Sequence, residues 1–195
     1  MANPNFLELE WKTRRALDIV EAHDQAESSV DYRSALQTAL RRFKRMTRET
    51  DSIYRDWRST RGERMKTFRE LRRESDRAKD LCDEHAMDDY PDQKIAYTEE
   101  EHLEELIDMA VEYLEEHKDE WDWISDKIST MKSLRSQGDE LQAKAEKLYE
   151  QYTVKVKERV ASYDHLHSIL ADYINDASQD VDSHELWPQI QLKRS

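Results

Sequence analysis

From Leu36 onward the chain keeps one periodicity. Leu36, Leu40, Phe43, Thr47, Thr50, Tyr54, Trp57, Arg61, Arg64, Phe68, Leu71, Ser75, Ala78, Cys82 and His85 follow each other at alternating steps of four and three. Most of these residues are apolar or aromatic, and the phase holds for roughly seven heptads. A second run starts at Leu103 and passes through Ile107, Ala110, Leu114, His117, Trp121, Ile124, Ile128, Met131, Arg135, Gly138, Gln142, Ala145, Tyr149, Tyr152, Val156, Arg159, Tyr163, Leu166, Leu170 and Tyr173. A spacing of 3.5 keeps one stripe against a partner as the helices supercoil, so both runs predict helices held by packing.

Composition alone points elsewhere. Charged residues make up 38% of the 195-residue chain, and Leu, Ile, Val and Phe together are scarce, a balance shared with disordered chains. Disordered chains are poor in aromatics, however, and this one carries 9 Tyr, 5 Trp and 3 Phe. Long helices with most residues facing water produce the same low hydrophobicity, and the periodicity decides for them. With 2 Gly and 3 Pro, the chain lacks the turn formers that sandwiches and parallel α/β folds need. No apolar run is long enough to span a bilayer. The opening residues Met1 to Glu8 lack the pattern of a secretory signal, and a single Cys82 fits a reducing compartment, so a cytoplasmic location is expected. The net charge of −13 argues against a general nucleic-acid binder.

The expected fold is all-α: an elongated antiparallel coiled-coil hairpin with a short N-terminal helix, together forming a three- or four-helix bundle. Residues 1–28 hold the short helix, and Ser28 to Asp31 reads as a capping box that restarts the chain. Residues 29–176 form the hairpin, with helices over about 30–88 and 98–176. Thr98 followed by three Glu is an N-cap with an acidic first turn, and Gly138 is where the second helix would break if it broke. Residues 33–79 contain 16 Lys/Arg and 7 Asp/Glu, whereas residues 80–126 contain 2 Lys and 19 Asp/Glu, so the two blocks should attract. A turn near Gln93 would set Thr47 and Thr50 beside Arg135 and Gly138, and Trp57 opposite Ile128 and Met131.

One constellation could bind metal. Cys82 and His85 share a helix face, and the expected register brings His102 alongside with Glu99 a turn away. Set against this, Cys82 reads equally as a small buried apolar residue. Glu99-x-x-His102 and Asp164-x-x-His167 lie too far apart for a carboxylate-bridged pair of metals, and His23, His165 and His167 gather at one bundle end. No cofactor is expected, and no nucleophile elbow or phosphate-binding loop suggests an enzyme. The basic segments Arg41 to Arg45 and Arg69 to Arg73 could face anionic lipid, but pairing with the acidic helix accounts for them. Trp123 and Leu134, beside the seam, and Leu186 and Trp187, in the tail at 177–195, are candidate protein-binding residues.

In outline, a short first helix followed by a basic-then-acidic hairpin resembles the ESCRT-III and PspA membrane-remodelling proteins. The stretch from Trp123-Ile124 to Gly138-Asp139-Glu140-Leu141 is similar to a spectrin repeat. No shared motif carries either resemblance onto individual residues. The expected function is therefore a non-enzymatic coiled-coil scaffold or adaptor that binds protein partners and forms a homo-oligomer, most simply a homodimer. A curved membrane-associated lattice protein is the alternative, and a metal-binding helical bundle using Cys, His and carboxylates the third.

Overall fold

The computed structural model of the chain describes residues 4–22, 27–91 and 100–179. Four helices and no strand occur among them: α1 (Pro4–Ala22), α2 (Glu27–Glu84), α3 (Glu100–Glu116) and α4 (Asp122–Gln179). The all-α bundle expected from the periodicity is present. The helices divide between two compact units, one built from residues 1–53 and 151–195, the other from residues 54–150.

In the first unit α1 packs on the first half of α2 and the second half of α4. The latter two run antiparallel: Tyr32 meets Tyr173 at 5.6 Å between ring centroids, and the Thr50 hydroxyl donates to the Lys155 carbonyl at 3.3 Å. Glu10 pairs with Lys44 and Glu21 with Arg33, so α1 is antiparallel to α2. The core joins Leu9, Ala16 and Val20 of α1 to Leu36, Leu40 and Phe43 of α2 and Leu166 and Leu170 of α4. Phe6 closes it, 5.4 Å from Phe43 and 5.2 Å from Tyr163 between centroids.

The second unit contains the end of α2, then α3, then the start of α4. Trp57 lies 5.7 Å from Tyr149, Phe68 abuts Gly138, and Glu74 bonds Lys127 at 2.7 Å, so here too α2 and α4 are antiparallel. Arg64 reaches Glu104 near the start of α3, and Tyr113 near its end donates to the Asp88 carbonyl at 2.7 Å. Thus α3 is parallel to α2. Its Ile107, Ala110 and Leu114 are fully buried against Leu71, Ala78, Ile124 and Met131.

Three expectations need correction. The second run is not one helix over 98–176: it turns at His117 to Trp121, so α3 and α4 are separate. Acidic residues crowd this turn, and Asp122 sits in the first turn of α4, where the helix dipole favours negative charge. The chain then runs through Gly138 without a break, because a Cβ there would merely touch the Phe68 ring at 3.5 Å and interior glycine costs only about 1 kcal/mol. The register also differs. Trp57 faces Tyr149 rather than Ile128 and Met131, and Thr50 faces Lys155 rather than Arg135 and Gly138. Finally, α1 stops at Ala22 and α2 starts at Glu27, while Thr98 and the tail beyond Gln179 lie outside the described residues.

The end of α2 shows how the chain reverses. Ala86 adopts φ 55°, its N–H donates to the Asp83 carbonyl, and the Met87 N–H donates to the Cys82 carbonyl at 2.9 Å. This is a Schellman closure with alanine where glycine is usual, and Met87 packs back on the core beside Cys82. Tyr90 then folds against α2, its hydroxyl donating to the Ser75 carbonyl at 3.2 Å.

Candidate interaction surfaces

The expected metal ligands are not gathered. Cys82 is fully buried, and burial, with a smaller push from Asp83, raises its thiol to about 11. A thiolate ligand or nucleophile needs the opposite shift. His85 is stacked on Trp121 at 4.0 Å between centroids, and His102 lies exposed on α3. No group of three or more His, Cys, Asp or Glu that could hold a metal occurs among the described residues. Glu99 and His23 lie outside them.

The expected protein-binding pair is partly buried. Trp123 and Leu134 are half-buried against the core of the second unit. Trp123 lies 6.0 Å from the His85 ring, with its indole N–H buried and without an acceptor among the described residues. Both residues looked surplus because a two-helix seam had no place for them. Both pack against the core cluster to which α2, α3 and α4 contribute. Leu186 and Trp187 fall outside the described residues.

What faces outward is different. On α1, Leu7 and Trp11 stand one turn apart, 62% and 53% exposed, with the Arg15 guanidinium 5.8 Å from the Trp11 ring. On α2 within the second unit, Arg55, Ser59, Gly62, Lys66, Arg69 and Arg73 step by four and three residues, and all are exposed. Leu71, Ala78 and Cys82 define the buried side, so this stripe points away from the core. Lys66, Arg69 and Arg73 form no salt bridge with a described residue. The acidic helix was expected to absorb these charges. It takes Arg64, which also lies 4.7 Å over the Phe68 ring, while the stripe is turned to solvent.

The outer face of α3 carries the opposite sign. The helix contains eight Asp/Glu and no Lys or Arg. Glu104 binds Arg64 and Arg135, and Glu115 binds Lys132, which anchors the flank toward α4. Glu105, Met109, Glu112 and Glu116 repeat at steps of four, three and four on the opposite side, all exposed. Two open grooves lie among the described residues. One, between α3 and α4, is lined by Ile107, Asp108, Val111, Glu112, Glu115, Lys132 and Arg135, so Glu112 stands between this groove and the outer stripe. The other, between α2 and α4 in the first unit, is lined by Ala35, Thr38, Ala39, Arg42, His165 and Ile169. No helix among the described residues is long and apolar enough to cross a membrane. Set against known protein families, curated proteins and solved structures, the chain matches none of them.

Proposed function

We propose that this chain is a non-enzymatic helical scaffold or adaptor that acts in the cytoplasm, binds protein partners and self-associates. The observation that carries the reading is the Leu7 and Trp11 pair. Two large apolar side chains one turn apart on an outer helix face, rimmed by Arg14, Arg15 and Asp18, are what a partner helix or loop can bury. The helical packing supports it: within each unit the helices close on a buried core, which lets the surface residues of that unit present fixed geometry. The alternative roles offer less. The one cysteine is buried and protonated, and the open grooves hold no converging nucleophile and base.

The test is comparative affinity capture. Tagged wild-type chain and a Leu7→Ser, Trp11→Ser variant are used to capture proteins from native lysate under matched conditions. Both positions are exposed, so circular dichroism and melting temperature should not change. Loss of a defined set of captured proteins from the variant supports the reading. Identical captured sets overturn the assignment of that face.

A further inference from the structure

We propose that the second unit carries both halves of a self-association interface: the basic stripe of α2 on one copy docks against the acidic outer face of α3 on another. The proposal deepens the scaffold reading and rests on it, in that it names a second copy of this chain as the partner. The two surfaces match in period, length and sign. Gly62, Lys66, Arg69 and Arg73 follow steps of four, three and four, as do Glu105, Met109, Glu112 and Glu116. All eight positions are exposed. Helices laid side by side meet along such stripes, and three cations face three carboxylates around Met109, whose side chain can lie on the long Lys and Arg stems.

The two stripes cannot satisfy each other within one chain. Helices α2 and α3 pack through Leu71, Ala78, Ile107 and Leu114, and the charged stripes sit on the sides turned away from that contact. Among the described residues, each is therefore open to another molecule. A second copy is favoured over another polyanion by the chain's own composition. α3 is the sole helix among the described residues without Lys or Arg, and it lies in the same unit as the unpaired cations. The two patches differ, so the contact is heterologous: each added copy leaves one basic and one acidic stripe open, and assembly continues beyond a dimer. Exposed charges drive it, so salt must weaken it as the Debye length contracts from about 30 Å at 0.01 M to about 3 Å at 1 M.

The test is sedimentation velocity of the full chain at tens of micromolar in low and high salt. The average mass should rise with concentration at low salt and fall to that of the monomer at high salt. Two charge-reversed variants follow, Lys66→Glu/Arg69→Glu/Arg73→Glu and Glu105→Lys/Glu112→Lys/Glu116→Lys. Each should be monomeric at low salt with helix content unchanged. Mixed in equal amounts they should associate again, because each supplies the sign the other lost. A monomeric wild type at low salt, a variant that assembles alone, or a mixture that fails to associate would overturn the proposal. So would wild type and the α2 variant assembling alike while the variant alone loses co-sedimentation with phosphatidylserine vesicles, which would assign the stripe to a membrane surface. Leu7 and Trp11 are untouched in both variants, so capture of partner proteins can succeed or fail independently of self-association.

Discussion

In the first unit the short helix is α1, which brings Leu9, Ala16 and Val20 to the core, buries Thr13 and Lys12, and leans on an aromatic cluster of Phe6, Phe43 and Tyr163. In the second it is α3, which brings Ile107, Ala110, Val111 and Leu114 and is clamped at its edge by Arg64, Lys132 and Arg135. The frame around them is nevertheless the same. Each unit combines a short helix, the first half of the long helix that follows it, and the second half of the other long helix. Both long helices have 58 residues. Counted from their first residues, Leu36, Thr50, Thr67, Leu71, Ser75 and Ala78 of α2 correspond to Met131, Ala145, Ser162, Leu166, Leu170 and Tyr173 of α4, and all twelve are buried.

The correspondence reaches into detail. Arg64 and Arg159 occupy equivalent places, and each guanidinium lies over a phenylalanine, Phe68 at 4.7 Å and Phe6 at 5.1 Å. Phe43 and Tyr163 touch in the first unit, whereas the equivalent pair in the second is Gly138 and Phe68. The Phe68 ring lies over Gly138 at a distance where a Cβ would make ordinary contact. One layout thus tolerates an aromatic pair in one unit and a ring on glycine in the other. Helix length and seam phase specify the architecture, and the particular core residues are secondary to them.

The largest expected effects test whether the units share this logic. Leu71→Ala and Leu166→Ala remove equivalent, fully buried side chains, and each should cost about 2–5 kcal/mol. Hydrogen exchange should lose protection in α3 and its neighbours for the first variant, and in α1 and its neighbours for the second. Uniform loss across both units in either variant would break the comparison.

Alkaline pH should separate the units next. Cys82 is raised to about 11 and Tyr90 to about 12, mainly by burial, and both belong to the second unit. The folded state holds these protons more tightly than the unfolded chain. Their contribution is therefore complete below pH 9 and is lost as pH rises through the folded values, with on the order of 1 kcal/mol going between pH 9 and 10, mostly from Cys82. The first unit has no cysteine, and its Tyr32, also raised to about 12, begins to lose its contribution only near pH 10, so the earlier loss that Cys82 adds belongs to the second unit. Urea melts of wild type and Cys82→Ala from pH 9 to 10 check it, since the variant should lose less stability than the wild type over this range.

Backbone substitutions sharpen the comparison at a smaller scale. Ala86→Gly should stabilise the second unit by about 1 kcal/mol, because alanine at φ 55° carries a penalty that glycine does not. Gly138→Ala should also gain up to about 1 kcal/mol of helix propensity, with its new Cβ in ordinary contact with Phe68. Thermal melts read both, and a Gly138→Ala loss would mean that the Phe68 ring cannot yield. The smallest effects belong to the ion pairs on the short helices. Glu10→Gln, which frees Lys44, and Glu115→Gln, which frees Lys132, should each cost about 0.2–1 kcal/mol in denaturant titrations.

The sequence by itself determined the helices, their phase and the buried side of each. Leu36, Phe43, Phe68, Leu71, Ile107, Leu114, Ile124, Met131, Leu166 and Leu170 all lie on the expected seams and all are buried. The basic stripe at positions 55, 59, 62, 66, 69 and 73 was not read as an open face, because its charges were expected to pair with the acidic helix. Tertiary structure alone decided the register, the turn at His117 to Trp121 and the role of Trp123 and Leu134. A seam that repeats every seven residues looks unchanged after a slide of whole heptads, and a short turn that preserves the phase leaves no mark on it. Only packing α3 into the second unit, which buries Ile107, Ala110 and Leu114 between α2 and α4, selects one alignment from the equivalent set.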